Sequence, residues 1–196
     1  VADPKPGDTV LDCCAAPGGK SFAMAGHMQG RGSVTSCDIY EHKLTRIQEG
    51  AQRLGLTNIQ TALQDASVTR NEWKGTADVV LCDVPCSGLG IIRKKPEIRY
   101  KDPAELENLP ALQAKILQNC AQYVKDGGTL VYSTCTILQR ENEDVVRAFL
   151  AANPQFETVP WEHKACGMRE DGMVTLLPPV HQTDGFFIAK LRKKNA

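Results

Sequence analysis

Two short segments, CDVPCSG at residues 82–88 and YSTCT at residues 132–136, each place a cysteine just after an apolar run. The runs have the length and composition of buried strands. A single thiol at a strand end is usually an inert core side chain, whereas two thiols at two strand ends suit a reaction that needs a pair of sulfur atoms. Cys86 and Cys135 are therefore the first candidates for chemistry.

The chain contains eight cysteines, an even number that would suggest disulfides in a short secreted protein. Several lie inside strand-like runs between helical segments, which favours reduced thiols in a cytoplasmic enzyme. There is no CxxC pair and the four histidines are scattered, so we expect no metal site. Six thiols are assigned mainly to buried, unreactive positions: Cys13, Cys14, Cys37, Cys82, Cys120 and Cys166.

The elements that must position the two thiols alternate regularly between strand and helix. Such alternation predicts one domain with a parallel, doubly wound sheet, in which ligands bind at the carboxyl ends of the strands. A helix over residues 103–124, kinked at Pro110 and closed by Asp126-Gly127-Gly128, is expected to precede the second thiol-bearing strand. Strands are predicted at residues 9–12, 33–39, 58–65, 77–85, 128–135 and 156–160, with two more near 173–179 and 185–191.

The first loop, CCAAPGGKS, is rich in glycine but matches no phosphate-binding motif. A P-loop needs a glycine where Cys14 stands, and no GxGxxG fingerprint is present, so ATP and NAD are disfavoured. A strand, a tight turn at Gly18 and Gly19 and a helix N-terminus still allow backbone N–H groups to approach a carboxylate.

Three aspartates end successive predicted strands. Asp38 lies about twenty residues beyond the glycines, where nucleotide-binding sheets place an acid on the ribose hydroxyls. Asp65 can accept a hydrogen bond from an adenine amino group, and Asp83 ends the fourth strand. Together they predict an adenosine ligand with a cationic methionyl part, which is S-adenosylmethionine.

With that cofactor, the two cysteines acquire a specific reaction. Carbon 5 of cytosine is a poor nucleophile until a thiolate adds to carbon 6 and converts the ring to an enamine that accepts a methyl group. A second thiol can help to break the adduct, and Asp83 can hydrogen-bond the ring. Spacing alone does not say which thiol attacks.

Three segments, DCCAAPGGK, DVPCSGLGIIRKKPEIRY and YSTCTILQRENEDVV, resemble the signature motifs of the Sun (RsmB-type) RNA (cytosine-5) methyltransferases, and the ending TLLPPVHQTDGFFIAKLRK is similar to that of the bacterial members. The resemblance covers nearly the whole chain. It implies an α/β fold of the class I S-adenosylmethionine-dependent methyltransferases, a Rossmann-like, seven-stranded, mostly parallel sheet with an antiparallel edge strand and strand order 3-2-1-4-5-7-6.

The resemblance also implies a role for each matching residue. Cys135 is the nucleophile and Cys86 assists product release, although DNA cytosine methyltransferases attack with the Pro-Cys thiol. Asp38 is the ribose ligand and Asp65 the adenine-side ligand. Asp83 contacts the methionyl end and the base, and Lys20 can reach the base or lower a neighbouring thiol pKa. The cofactor loop is Cys14, Ala15, Ala16, Pro17, Gly18, Gly19 and Lys20.

The expected partner is RNA, specifically 16S ribosomal RNA of the small subunit, in a cytoplasmic, monomeric protein without membrane contact. The basic run from Arg93 to Lys101 is expected to contact phosphates, and the basic tail at residues 192–194 to be a solvated terminus. Because the chain begins with Val1 and the bacterial relatives carry an N-terminal RNA-binding domain, residues 1–196 are expected to be the catalytic domain of a longer protein. The zero net charge agrees with this, since phosphate contacts would come largely from the missing part.

Three alternatives stay open. The chain can be a catalytically weak cofactor-binding fold that acts as an RNA-binding or ribosome-assembly factor. It can be a tRNA cytosine-5 methyltransferase. It can also methylate a protein or a small molecule, a reaction that typically uses no paired thiols.

Overall fold

The structure is a computed structural model that describes residues 1–195. Strands and helices alternate over the first two thirds of the chain, as the apolar pattern predicts. The strands are β1 Thr9–Asp12, β2 Ser33–Asp38, β3 Ile59–Leu63, β4 Ala77–Asp83, β5 Val124–Thr134, β6 Phe156–Thr158, β7 Trp161–His163, β8 Gly167–Arg169, β9 Met173–Leu176 and β10 Phe186–Lys193. The helices are α1 Gly19–His27, α2 Glu41–Arg53, α3 Pro103–Glu107, α4 Leu109–Ala121, α5 Glu143–Ala152 and α6 Pro178–His181.

The main sheet has the order β3-β2-β1-β4-β5-β10-β6, in which β3 to β5 are parallel and β10 is antiparallel to both neighbours. This is the predicted strand order, and the fold class is confirmed. The sheet contains eight strands because β9 also pairs with β10. β9 pairs with residues 186–189 of β10, and β6 pairs with residues 191–193. The antiparallel strand therefore lies next to the edge rather than at it.

The core lies on both faces of the sheet, as the nearly continuous apolar runs of β4 and β5 require. Val80, Leu130 and Tyr132 are buried against α4 and α5 on one face, and Val10 and Val79 pack against α1 on the other. Among residues 1–195, no helix combines the length and the apolar content needed to cross a bilayer.

The predicted helix over residues 103–124 is two helices, α3 and α4, which meet at Asn108. Pro110 has no N–H to donate and its ring excludes a continuous helix, but proline is tolerated in a first turn, so the second helix begins just before it. Asp126-Gly127-Gly128 was expected to close the helix, and this prediction was wrong. The three residues lie within β5, where the pairing with β4 shifts register. The β7–β8 hairpin was not predicted, because its strands have three residues each.

Candidate active site

The two thiols that the sequence singles out lie side by side. Cys86 Sγ is 3.3 Å from Cys135 Sγ, and the backbone N–H of Cys135 also points to the Cys86 sulfur at 3.3 Å. They converge because β4 and β5 are parallel neighbours with Asp83 opposite Ser133, so both following loops leave the same end of the sheet.

The loops are fixed by a close backbone contact. The Gly90 N–H donates to the Cys135 carbonyl at 2.9 Å, and the Gly185 N–H donates to the Gly90 carbonyl at 2.8 Å. A Cβ atom at Gly90 would collide with the Gly185 carbonyl, so glycine is needed here for close approach. The segment before β10 thus holds both thiol-bearing loops together.

The thiol pair is electrostatically asymmetric. The hydrogen bond between the two thiols lowers the pKa of Cys135 to about 7, and the Lys20 ammonium acts in the same direction against burial and Asp83. The same hydrogen bond, followed by burial, raises the pKa of Cys86 above its usual range. Cys135 is therefore the thiol that ionises first, which makes it the better nucleophile near neutral pH.

We expect alkylation of Cys135 by iodoacetamide to increase with pH with a midpoint near 7, because only the thiolate reacts. Cys86→Ala removes the hydrogen-bond partner, so the midpoint should rise toward that of an ordinary thiol, about 8.5. Mass spectrometry of the peptide that carries Cys135 measures both values. An unchanged midpoint in Cys86→Ala would show that Cys86 does not stabilise the thiolate.

Asp83 connects the cofactor loop to the thiol pair. Lys20 Nζ donates to Asp83 Oδ2 at 2.6 Å, and Ser133 Oγ donates to Asp83 Oδ1 at 2.7 Å. Lys20 is half exposed, so this ion pair is worth little to stability, but it sets the orientation of both groups. The structure thus brings Lys20 and Asp83, two of the predicted site residues, into contact.

The glycine turn at the start of α1 has the geometry of a ligand-binding loop. Gly18 has φ +105°, in the left-handed region, and a Cβ there would collide with the Phe22 ring. A cavity of about 240 Å³ opens beside this turn. Its lining includes most of the predicted cofactor loop: Cys14, Ala15, Ala16, Pro17, Gly19 and Lys20, with Asp12 and Asp83.

A larger cavity of about 560 Å³ joins the predicted adenosine residues to the thiols, within the usual size of a small-molecule site. Asp38 Oδ1 accepts from the Tyr40 N–H at 3.0 Å, and Asp65 Oδ1 from the Ser67 N–H at 2.8 Å, so each carboxylate keeps an oxygen for another partner. Both aspartates line this cavity together with Cys86 and Cys135.

Sequence reasoning missed a buried polar network behind the thiols. Glu141, fully buried, accepts from the Ser87 N–H and from Gln113 Nε2, each at 2.9 Å. Ser87 Oγ in turn donates to Thr136 Oγ1 at 2.7 Å, so residues adjacent to both cysteines are linked. In the sequence Glu141 belongs to the acidic run ENED, which is typical of an exposed helix start, and only its place just after the Thr-Cys motif could have marked it.

We expect Glu141→Ala to destabilise the fold by about 2–4 kcal/mol, because the Ser87 N–H and the Gln113 amide lose a buried acceptor and a cavity forms. Glu141→Gln keeps an acceptor oxygen and should lose less. Urea unfolding of the two variants measures the difference. A loss below about 0.5 kcal/mol in Glu141→Ala, the size of a neutral surface change, would contradict a structural role for the network.

Asp12 is a second residue that was missed, although it ends β1 as Asp38 and Asp83 end their strands. Its Oδ2 accepts from Ser21 Oγ at 2.7 Å, and its Oδ1 is buried with no partner. Burial raises the pKa of Asp12 to about 6. A buried carboxylate oxygen without a partner beside the cofactor loop is an unfilled hydrogen-bonding position.

Several of the basic residues predicted from the sequence, in the run from Arg93 to Lys101 and in the tail at residues 192–194, form ion pairs within the protein. Arg93 and Lys94 pair with the buried carboxylate of Asp184 at 3.1 and 2.6 Å. They therefore help to fix the segment before β10. In the basic tail, Arg192 pairs with Glu157 and Lys193 with Asp126. Because β10 is antiparallel to β5, this tail lies at the end of the strands opposite to the thiols.

Three of the cysteines assigned to inert positions do cluster: the thiols of Cys13, Cys82 and Cys120 lie within 4.8 Å of one another in the core. The neighbouring Cys120 thiol, followed by burial, raises the pKa of Cys13 well above its usual range. Metal ions bind cysteine as the thiolate, and the expectation of a metal-free protein stays a prediction. Cys14 and Cys166 are only partly buried.

Comparison with known proteins gives a consistent result. Residues 1–192 match the family model described as 16S rRNA methyltransferase RsmB/F. A Bacillus subtilis (strain 168) protein described as a probable ribosomal RNA small subunit methyltransferase B is 45% identical over 98% of this chain and 44% of its own length. The ribosomal RNA small subunit methyltransferase B of Vibrio vulnificus (strain YJ016) is 38% identical over 97% of the chain and 43% of its own length.

Solved structures agree with these relatives. The crystal structure of PH0851 superimposes with a TM-score of 0.92 at 36% identity, covering 98% of this chain and 44% of that one. The structure of NSun6 from Pyrococcus horikoshii with SFG gives 0.83 at 28% identity, covering 100% and 50%. The chain spans less than half the length of the curated relatives named above.

Proposed function

The chain belongs to the RsmB/F family of 16S rRNA methyltransferases, and from this premise we propose that it is a catalytic domain that methylates carbon 5 of a cytosine in small-subunit ribosomal RNA. S-adenosylmethionine is the methyl donor. The observation that carries the proposal is the pair of thiols 3.3 Å apart at the end of a cavity lined by Asp38 and Asp65.

The residues around the cavity fit S-adenosylmethionine. Asp38 accepts from the ribose hydroxyls, and Asp65 lies on the adenine side. The turn at Gly18 and Gly19 receives the methionyl carboxylate, and the free Asp12 Oδ1 offers an acceptor to a cationic group nearby. When bound, this cofactor supplies a methyl group activated by its sulfonium charge.

In the proposed reaction, Cys135 attacks as a thiolate. A bond forms between its sulfur and carbon 6 of cytosine, and the electron pair of the carbon 5–carbon 6 double bond makes carbon 5 nucleophilic. After carbon 5 has taken the methyl group, a base, either the Cys86 thiolate or a water molecule, removes the carbon 5 proton. The electrons of that carbon–hydrogen bond restore the double bond, and the sulfur–carbon 6 bond breaks to release Cys135 as a thiolate. Cys86, held against Cys135, assists this last step.

Lys20 and Asp83 orient the reactants. Asp83 lines both cavities, between the cofactor loop and the thiol pair. In the proposed complex its carboxylate would contact the methionyl end and the target ring. Lys20 fixes that carboxylate and also favours the Cys135 thiolate. The target base must leave its RNA stack to reach this site, which is the usual solution for enzymes that act on bases.

Each alternative function lacks part of this support. Neither an assembly factor without catalysis nor a methyltransferase for proteins or small molecules would need two thiols 3.3 Å apart beside the cavity. A tRNA target is disfavoured, because the matching family model is described as a 16S rRNA methyltransferase. Because the chain spans less than half of its relatives, we propose that other segments supply much of the RNA affinity and that this chain alone binds the cofactor but methylates RNA poorly.

The test is methyl transfer from labelled S-adenosylmethionine to small-subunit RNA that lacks modifications, with the complete protein. After digestion to nucleosides, the label should be found in 5-methylcytidine. Label in another nucleoside would overturn the cytosine-5 assignment. Label in 5-methylcytidine only when tRNA is offered would overturn the ribosomal target.

A further inference from the structure

Tyr100 is the most exposed large apolar side chain among residues 1–195, with 87% of its surface accessible. It is the last residue of a short 3-10 helix, Pro96–Tyr100. Single exposed apolar residues are common on protein surfaces, so exposure alone carries no function. What distinguishes Tyr100 is how the residues around it are held and charged.

The segment that carries Tyr100 is fixed to the Cys86 loop on both sides of the ring. Ile98 is buried, and a Cβ on Gly88 would lie 3.0 Å from its side chain. Lys101 Nζ donates to the Ser87 carbonyl at 2.9 Å. Because these contacts are made by the neighbours of Tyr100, its ring remains exposed to solvent while its backbone is held against the loop that carries Cys86.

The charges on either side of Tyr100 in the sequence are mixed, with Glu97 and Asp102 among the cations, but two of the cations are not paired among residues 1–195. Lys95 and Arg99 are exposed, and in the part of the chain that the structure describes neither is within 4.0 Å of a carboxylate. Glu97 is the acidic residue of the same short helix. An exposed aromatic ring with free cations beside it is the combination that binds single-stranded nucleic acid, by base stacking and phosphate contact.

We propose that Tyr100 stacks on an unpaired base of the RNA next to the target cytosine, while Lys95 and Arg99 contact the adjoining phosphates. The inference rests on the proposed function, since it assigns the path of that substrate. When the target base leaves the stack, its neighbour loses a stacking partner, and a fixed aromatic ring beside the Cys86 loop replaces that partner.

The test measures the affinity of the complete protein for a short single-stranded RNA that contains the target cytosine, by fluorescence anisotropy. Tyr100→Ala should weaken binding by about 5- to 150-fold, the range found for loss of one stacked base. Tyr100→Phe and Tyr100→Trp should retain affinity, because they keep a ring. Leu54→Ala removes an exposed apolar side chain just after α2, and should leave affinity unchanged.

Equal loss in Tyr100→Phe and Tyr100→Ala would overturn stacking, since only the hydroxyl is then used. Unchanged affinity in Tyr100→Ala, with 5-methylcytidine still formed by the wild type, would overturn this inference alone. Weakened RNA binding in Tyr100→Ala, with no 5-methylcytidine formed by the wild type, would support the surface and overturn the proposed function. Arg99→Ala should reduce by about one the slope of the logarithm of RNA affinity against the logarithm of salt concentration, because one phosphate contact is lost. An unchanged slope would overturn the contact between Arg99 and a phosphate.

Discussion

Cys135→Ala is expected to reduce methyl transfer to small-subunit RNA by about four orders of magnitude or more, because without the sulfur no covalent bond can activate carbon 5. The measurement is incorporation of labelled methyl groups by the complete protein. Binding of S-adenosylmethionine should be unaffected, since Asp38, Asp65 and the glycine turn remain in place. Calorimetric titration of the cofactor separates a lost nucleophile from a damaged fold.

The matched control is Cys166→Ala, which removes a partly buried thiol near the β7–β8 hairpin and should keep full activity. If Cys135→Ala still methylates RNA, the nucleophile has been assigned to the wrong thiol. Cys86 is then the next candidate, because its Sγ lies 3.3 Å from Cys135 Sγ.

The second large effect is expected from Cys86→Ala. We expect it to accumulate a covalent protein–RNA complex, because Cys135 can still attack carbon 6 while release of the methylated base is impaired. A denaturing gel with labelled RNA detects the complex as a protein band that carries the label. Turnover should fall to a small fraction of the wild-type rate, while a single methyl transfer per protein persists.

The pH of that experiment matters. Cys86→Ala also removes the hydrogen bond that lowers the pKa of Cys135, so attack should slow near pH 7 and recover above the pKa of an ordinary thiol, about 8.5. Comparison at pH 9 therefore isolates the release step. The double variant Cys86→Ala/Cys135→Ala should form no complex at any pH. A complex in that variant would mean that another residue attacks the RNA.

The sequence predicted the end of the sheet at which the site lies because the rule behind it is local. Apolar runs that end in Asp38 and Asp83 locate the carboxyl ends of parallel strands, and the parallel order brings Cys86 and Cys135 to the same end of the sheet. The ranking of the two thiols could not be obtained this way. It depends on the environment of each sulfur, which the loops after the strands determine.

The contacts that the sequence did not reveal are long-range and polar. Glu141 meets Ser87 across 54 residues and Gln113 across 28, and no periodic pattern marks such pairs. The Asp126-Gly127-Gly128 sequence has the composition of a helix end, but the register shift beside β4 places it within a strand. In both cases tertiary packing overrides a local preference.

The antiparallel strand β10 has a consequence for when the site is completed during synthesis. When the ribosome has added residue 180, both thiols and the polar residues that line both cavities have been synthesised. At that point β10 has not yet been made, so β5 lacks its partner on the side away from β4. Six residues of β10 then pair with β5, and Gly185 closes on Gly90. The two thiol-bearing loops of a nascent chain should therefore reach their final arrangement only after β10 has paired with β5.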